Sequence, residues 1–223
     1  MARNSFQNRL DALSGQVAAM GDRALEQYND AVSVLESGDE TAAETIIDND
    51  AALNDWYLDI ESECIELLAL QQPVASDLRF VASSFKIVTD LERVGDLATN
   101  LAEYGAESSG ELPADLDIQS IATGAGEMVE AALDAYAKAD AQRARSIAAM
   151  DETLDAQCKD ASETVVRGLL QRENAPGTAI EPTLNTASSA LLVIRDLERV
   201  GDHAVNICAR TVYMVDHDDG LLY

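Results

Sequence analysis

Two stretches of the chain carry the same oxygen-bearing side chains at the same spacing. DLERVGDLATN occupies residues 90–100, and DLERVGDHAVN occupies residues 196–206. Side chains four residues apart share one face of a helix. The two rows formed in this way are Glu92, Asp96 and Asn100 in the first stretch and Glu198, Asp202 and Asn206 in the second. Carboxylates at this spacing repel each other, so either the adjacent Arg93 and Arg199 neutralise them or a bound cation does.

A second acidic pattern precedes each motif. Asp50 stands four residues before Asn54, and Asp151 stands four residues before Asp155. If the helices that carry them pack antiparallel to the motif helices, each half gains a cluster of four oxygen-bearing side chains. Carboxylates without cysteine or paired histidine favour a hard cation such as magnesium, manganese, iron or calcium. The alternative is that such pairs arise by chance in an acidic chain and line a solvated face.

Two glycines and two histidines also bear on the hypothesis of a bound cation. Gly95 and Gly201 each cost about 1 kcal/mol in a helix interior, and such a glycine indicates close approach of another backbone or a ligand. His203 and His217 are predicted to lie at the surface or at a helix cap, although His203 beside Asp202 is within reach of a metal.

The elements that must position these residues are helices. Apolar residues recur at steps of three and four nearly throughout, and no alternating segment of useful length predicts a strand. Gly38 is predicted to end the first helix, Asp39 to cap the second, and Pro73 to lie in the first turn of the third.

The helical pattern is duplicated. Residues 127–157 align with residues 26–56 at an offset of 101, and five extra residues near 172–182 move the offset of the final helix to 106. The predicted fold is all-α, with two tandem three-helix bundles that form a six-helix array. We expect a first domain at 1–108, a linker at 109–117 and a second domain at 118–223. We also expect the halves to pack together, since three helices alone bury little surface.

Composition narrows the class of protein. A net charge of −26, from 41 acidic and 15 basic residues, argues against a nucleic-acid binder, and a hydrophobic content of 47% argues against disorder. The charge is typical of a soluble protein from a very salty cytoplasm, where salt screens charges over a short distance.

The three cysteines are far apart and are predicted to be buried apolar side chains. Because we find no secretory signal and no long apolar run, we predict a cytoplasmic protein without membrane insertion.

No catalytic motif is present. The chain has no paired nucleophile and base, no phosphate-binding glycine loop and no GxSxG sequence. We therefore predict a binding or regulatory protein and not an enzyme.

Three segments resemble one known family. QQPVASDLRF at 71–80, FKIVTDLERVGDLATNLAE at 85–103 and VIRDLERVGDHAVNICAR at 193–210 look like the PhoU family, as two tandem PhoU domains over nearly the whole chain. The resemblance implies negative control of the high-affinity phosphate ABC transporter through its ATPase subunit. In bacteria it also implies relay of phosphate status to a sensor histidine kinase, and it implies a homodimer.

The resemblance also implies metal binding. Family members are similar in holding divalent or trivalent metal ions through E/D-x-x-x-D motifs, which leaves Mg, Mn, Fe and Zn open. The matching pairs are Glu92 with Asp96, Glu198 with Asp202, and Asp151 with Asp155. Asn54, the partner of Asp50, departs from this pattern, which predicts a weaker or absent metal cluster in the first half. The segment from Asp77 to Arg79 has no counterpart in the second half. The alternative function is a helical adaptor that regulates another transporter or signalling partner without a specific metal.

Overall fold

The chain is helical, as predicted. A computed structural model describes residues 2–70, 75–109, 112–113, 116–173 and 180–222, and within these ranges it contains helices and no strand. The seven helices of the described residues are α1 Ala2–Ser37, α2 Glu40–Leu70, α3 Ala75–Glu107, α4 Ile118–Ala137, α5 Ala141–Ala148, α6 Asp151–Glu173 and α7 Ile180–Asp216. The predicted pair of three-helix bundles is confirmed, with the second helix of the second half interrupted at Ala149 and Met150.

The predicted helix boundary at Gly38 is confirmed. Gly38 adopts a φ of 65°, which is the left-handed conformation that ends helices, and its amide donates to the carbonyl of Val34 at 2.8 Å. The Asp39 carboxylate then caps α2 by accepting from the amides of Thr41 and Ala42 at 3.0 and 3.1 Å. Pro73 and residues 174–179, in the region of the five-residue insertion, lie outside the described residues.

The two halves pack together through their third helices. α3 contacts α1, α2 and α7, while α7 contacts α3, α4, α5 and α6. Polar pairs between residues 90 and 206 and between residues 100 and 196 show that α3 and α7 run antiparallel. A single apolar core runs through both bundles, and all three cysteines are buried in it, as predicted. This arrangement places the two repeated motifs side by side at the centre of the molecule.

No helix in the described part of the chain combines the length and apolar character that crossing a membrane requires.

Candidate functional site

A glycine–leucine contact brings the acidic pairs to the motif helices. A Cβ atom at Gly95 would collide with the Leu53 side chain of α2, and one at Gly201 would collide with the Leu154 side chain of α6. The Oδ1 atoms of Asp50 and Asp151 lie 3.8 and 3.5 Å from those same Cβ positions. The prediction of a backbone or a ligand close to these glycines is wrong, because a leucine side chain occupies the space in both halves. As a consequence, an aspartate lies against each motif helix.

We expect Gly201→Ala to lower the free energy of unfolding by about 1 kcal/mol, because Leu154 is buried and overpacking outweighs the gain in helix propensity. Gly15→Ala is the matched control, since a Cβ at Gly15 meets nothing within 4 Å. That change should stabilise the protein by about 0.5–1 kcal/mol. Urea unfolding of both variants measures the difference, and equal stabilisation by the two changes would contradict the close contact.

In the first half, the chain itself neutralises the carboxylates. Asp50 Oδ1 lies 3.3 Å from Gln27 Nε2 and 3.5 Å from Thr99 Oγ1, and Asp50 Oδ2 accepts from Asn54 Nδ2 at 2.9 Å. Arg93 lies 3.4 Å from Glu92 and 3.0 Å from Asp96. Arg93 thus pairs with both carboxylates of this row.

Glu92 nevertheless lies in an unfavourable environment for its charge. Burial raises the pKa of the Glu92 carboxyl, the nearby Asp96 and Asp50 raise it further, and Arg93 and His203 oppose the increase.

In the second half, four carboxylates repel one another with less compensation. They are Asp151, Asp155, Glu198 and Asp202, which we call the second-half cluster. Burial raises the pKa of Asp151 to about 6, and the other three carboxylates add to the increase. Burial, followed by repulsion from Asp155, also raises the pKa of Glu198 and of Asp202. Asp151 Oδ1 is buried and has no hydrogen-bond partner among the described residues.

The arginine of the second motif does not repeat the role of the first. Arg199 lies 3.6 Å from Asp196, and the described residues show no ion pair between Arg199 and either Glu198 or Asp202. It still lowers the pKa of Asp202 through space, against the larger effects of burial and of Asp155. The second-half cluster therefore carries negative charge that its own side chains leave largely uncompensated.

The two asparagines that end the rows form hydrogen bonds between the two halves. Asn100 Nδ2 donates to Asp196 Oδ2 at 3.3 Å, and Asn206 Nδ2 donates to Asp90 Oδ1 at 3.0 Å. Each amide nitrogen thus bonds to the aspartate that opens the motif of the other half. This reciprocal exchange, which we call the interhalf contact, joins α3 to α7.

Further residues complete the interhalf contact. His203 Nδ1 lies 2.9 Å from Asp90 Oδ1, and the Tyr104 hydroxyl donates to Asp196 Oδ2 at 3.4 Å. Asp196 is fully buried, and Arg195 binds its other oxygen at 2.8 Å. The sequence interpretation missed Asp90 and Asp196 as functional residues, although both open the repeated stretch at equivalent positions. His217 is exposed near the end of the chain, as predicted.

The fit of a cation differs between the two clusters. Nowhere in the described ranges are three or more His, Cys, Asp or Glu side chains arranged closely enough to hold a metal ion. The second-half cluster nevertheless has the donor chemistry for a hard cation, because its ligands are carboxylates and one buried oxygen lacks a partner. The corresponding first-half cluster of Asp50, Asn54, Glu92 and Asp96 does not fit. Asp50 already accepts bonds from three side chains.

Comparison with known proteins covers nearly the whole chain. A family model described as the PhoU domain matches residues 17–105 and 118–211. The phosphate-specific transport system accessory protein PhoU homolog of Pseudomonas putida is 35% identical over 217 residues, which cover 96% of this chain and 82% of the relative.

Two crystal structures are similar throughout. That of PhoU from Pseudomonas aeruginosa has a TM-score of 0.88 and 34% identity, with 96% of this chain and 100% of the other covered. That of the phosphate transport system regulatory protein PhoU from Streptococcus pneumoniae has a TM-score of 0.85 and 31% identity, with 96% and 98% covered.

Proposed function

The chain belongs to the PhoU family, and we propose that it regulates phosphate uptake as an accessory protein of a phosphate transport system. The family match in both halves carries this proposal. It is supported by relatives that are named as accessory or regulatory proteins of phosphate transport and that align with almost the entire chain. The resemblance found in the repeated motifs is thereby confirmed.

The regulation is negative and acts by contact in this proposal. The chain binds the ATPase subunit of the phosphate transporter as a cytoplasmic homodimer and holds uptake down when phosphate is plentiful. Where a sensor histidine kinase is present, the same protein passes phosphate status to it. A non-enzymatic role is supported by the absence of a catalytic motif from the sequence and by the accessory role named for its relatives.

A divalent cation belongs to this function in the second half. Asp151, Asp155, Glu198 and Asp202 are the residues that would hold it. When bound, the cation would neutralise their repulsion, which is visible in the raised pKa values of Asp151, Glu198 and Asp202. Asp151 and Asp155 lie on α6, and Glu198 and Asp202 lie on α7, so a cation held by all four would bridge the two helices. Magnesium and manganese suit an all-carboxylate ligand set best.

A binding experiment tests the proposed function. The purified chain is mixed in high salt with the ATPase subunit of the phosphate transporter, with and without phosphate and Mn²⁺, and the complex is measured by pull-down and light scattering. We expect binding by the wild type and at least a tenfold weaker complex for the double variant Glu198→Gln, Asp202→Asn. That variant loses two of the four carboxylates that would hold the cation, so the cation would no longer bridge α6 and α7.

The control removes the same charge elsewhere. Glu127 and Glu130 are exposed on α4, and Glu127→Gln with Glu130→Gln should bind the ATPase subunit like the wild type. Absence of any complex under all four conditions would reject the regulator proposal. Equal binding by both double variants would reject the part assigned to the second-half cluster.

A further inference from the structure

The two halves permit a position-by-position comparison of their clusters. Asp151 corresponds to Asp50 and Leu154 to Leu53 at an offset of 101, and Gly201 corresponds to Gly95 at an offset of 106. The leucine–glycine contact and the aspartate beside it recur in both halves. Because the backbone frame is shared, differences in charge compensation arise from the side chains placed around it.

Three side chains around Asp50 supply hydrogen-bond donors. Gln27 is 2% exposed, and its amide nitrogen lies 3.3 Å from both Asp50 Oδ1 and the Gly95 carbonyl. Asn54 donates to the other carboxylate oxygen at 2.9 Å, and the Thr99 hydroxyl lies 3.5 Å from the first. A carboxylate that accepts several bonds is stabilised in its charged form without a counter-ion.

All three donors are absent from the equivalent positions of the second half. The residues there are Met128 in place of Gln27, Asp155 in place of Asn54, and Val205 in place of Thr99. A thioether, a carboxylate and an alkyl group cannot donate to Asp151. Among the described residues, the buried oxygen without a partner at the second-half cluster is accordingly the carboxylate atom Asp151 Oδ1, whereas at the corresponding first-half positions it is the uncharged amide atom Gln27 Oε1. The motif arginines also compensate the charge of the first half more than that of the second. Arg93 pairs with Glu92 and Asp96, whereas Arg199 pairs with Asp196.

We infer that the first half holds its cluster with its own hydrogen bonds and takes no cation, so that the second half alone responds to the metal. This inference rests on the cation role proposed above for the second-half cluster. The Gln27–Asn54–Thr99 set acts as a permanent substitute for the ion between α1, α2 and α3. The chain therefore has one constant half and one half whose α6–α7 packing depends on the cation. Binding or loss of the metal then changes the packing of the second bundle, while the first bundle keeps its structure.

Exchanging the three positions tests the inference. One variant gives the first half the residues of the second, as Gln27→Met, Asn54→Asp and Thr99→Val. The reciprocal variant changes Met128→Gln, Asp155→Asn and Val205→Thr. Mn²⁺ binding is counted by equilibrium dialysis, and the melting temperature is measured in chelator and in Mn²⁺.

We expect a single equivalent of Mn²⁺ for the wild type and none for the reciprocal variant, whose melting temperature in chelator should match or exceed that of the wild type. The first variant should melt lower in chelator, recover in Mn²⁺ and bind a second equivalent. The isosteric single changes Asn54→Asp and Asp155→Asn give the same directions with less disturbance of the core, should a triple variant fail to fold.

The outcomes separate the inference from the proposed function. A wild type that binds two equivalents, with one lost on Asp50→Asn, would overturn the inference and leave the cation role intact. A wild type that binds none would overturn the cation role and the inference together, while the pull-down with the ATPase subunit would still decide the regulatory proposal.

Discussion

Asp196→Ala is expected to lower the free energy of unfolding by about 3 kcal/mol, because it removes the buried charge on which the interhalf contact is built. Asp196 is fully buried and lies on α7. It accepts from Asn100 and Tyr104 of the first half and binds Arg195 of its own helix. Without the carboxylate, the Asn100 amide and the Tyr104 hydroxyl lose their acceptor at the centre of the molecule.

Urea unfolding compares Asp196→Ala with Glu130→Ala, which removes an exposed acid from α4 and should change stability by less than about 0.5 kcal/mol. A double-mutant cycle with Asn100→Ala measures the coupling across the halves, which we expect to be about 1 kcal/mol. A coupling of zero, or an Asp196→Ala loss no larger than that of Glu130→Ala, would show that the interhalf contact does not hold the bundles together.

The helices could be predicted because their signals are local, and the duplication because residues 196–206 repeat residues 90–100 almost unchanged. Core residues such as Leu91, Val94 and Ala98 recur at helical spacing, and all three are buried. The Gly38 and Asp39 boundary follows from conformational preferences of single residues. The interruption of the second-half helix before Asp151 carried no comparable signal, since no glycine or proline stands at Ala149 or Met150.

The spacing of the rows was informative only in part. Four residues advance a helix by slightly more than a full turn, and so each step rotates the side chain by about 40°. By the third position, Asn100 has moved about 80° away from Glu92, which takes it off the cluster face and onto the α7 side. The same rotation moves Asn206 towards Asp90. The three residues of each row therefore have two different roles. The first two contribute to the carboxylate cluster, and the third contributes to the interhalf contact.

The hydrogen-bond donors around Asp50 could not be predicted from sequence patterns. Gln27 is 23 residues from Asp50 in sequence, and Thr99 is 49 residues away. A single glutamine on an apolar helix face gives no indication of its partner. The offsets of 101 and 106 place Met128 and Val205 at the corresponding positions, but only the fold shows that these positions surround the aspartate of each half.

The cation-free protein is expected to lose stability as the pH rises from about 4 to about 7, against the usual direction of acid unfolding. The pKa of Asp151 is about 6 in the folded state and 3.8 in the absence of the fold. A folded-state pKa above the unfolded value means that the folded protein binds the proton more tightly. Its stabilising contribution is therefore full below the unfolded value and is lost as the pH rises through about 6.

Glu198 and Asp202 act in the same direction, because burial and repulsion from Asp155 raise the pKa of each. The shift of Asp151 alone corresponds nominally to about 3 kcal/mol, and solvent screening of this partly exposed carboxyl reduces our expectation to about 1 kcal/mol.

Chemical unfolding in chelator at a series of pH values measures how steeply the free energy of unfolding depends on pH. Asp151→Asn should remove most of this dependence, and Asp50→Asn, the same change in the hydrogen-bonded half, should leave it in place. Mn²⁺ should flatten the slope of the wild type, because a cation at the second-half cluster favours the ionised carboxylates that high pH produces. A stability that rises through this range in chelator, or an Asp151→Asn variant with the wild-type slope, would contradict the assignment of uncompensated charge to the second half.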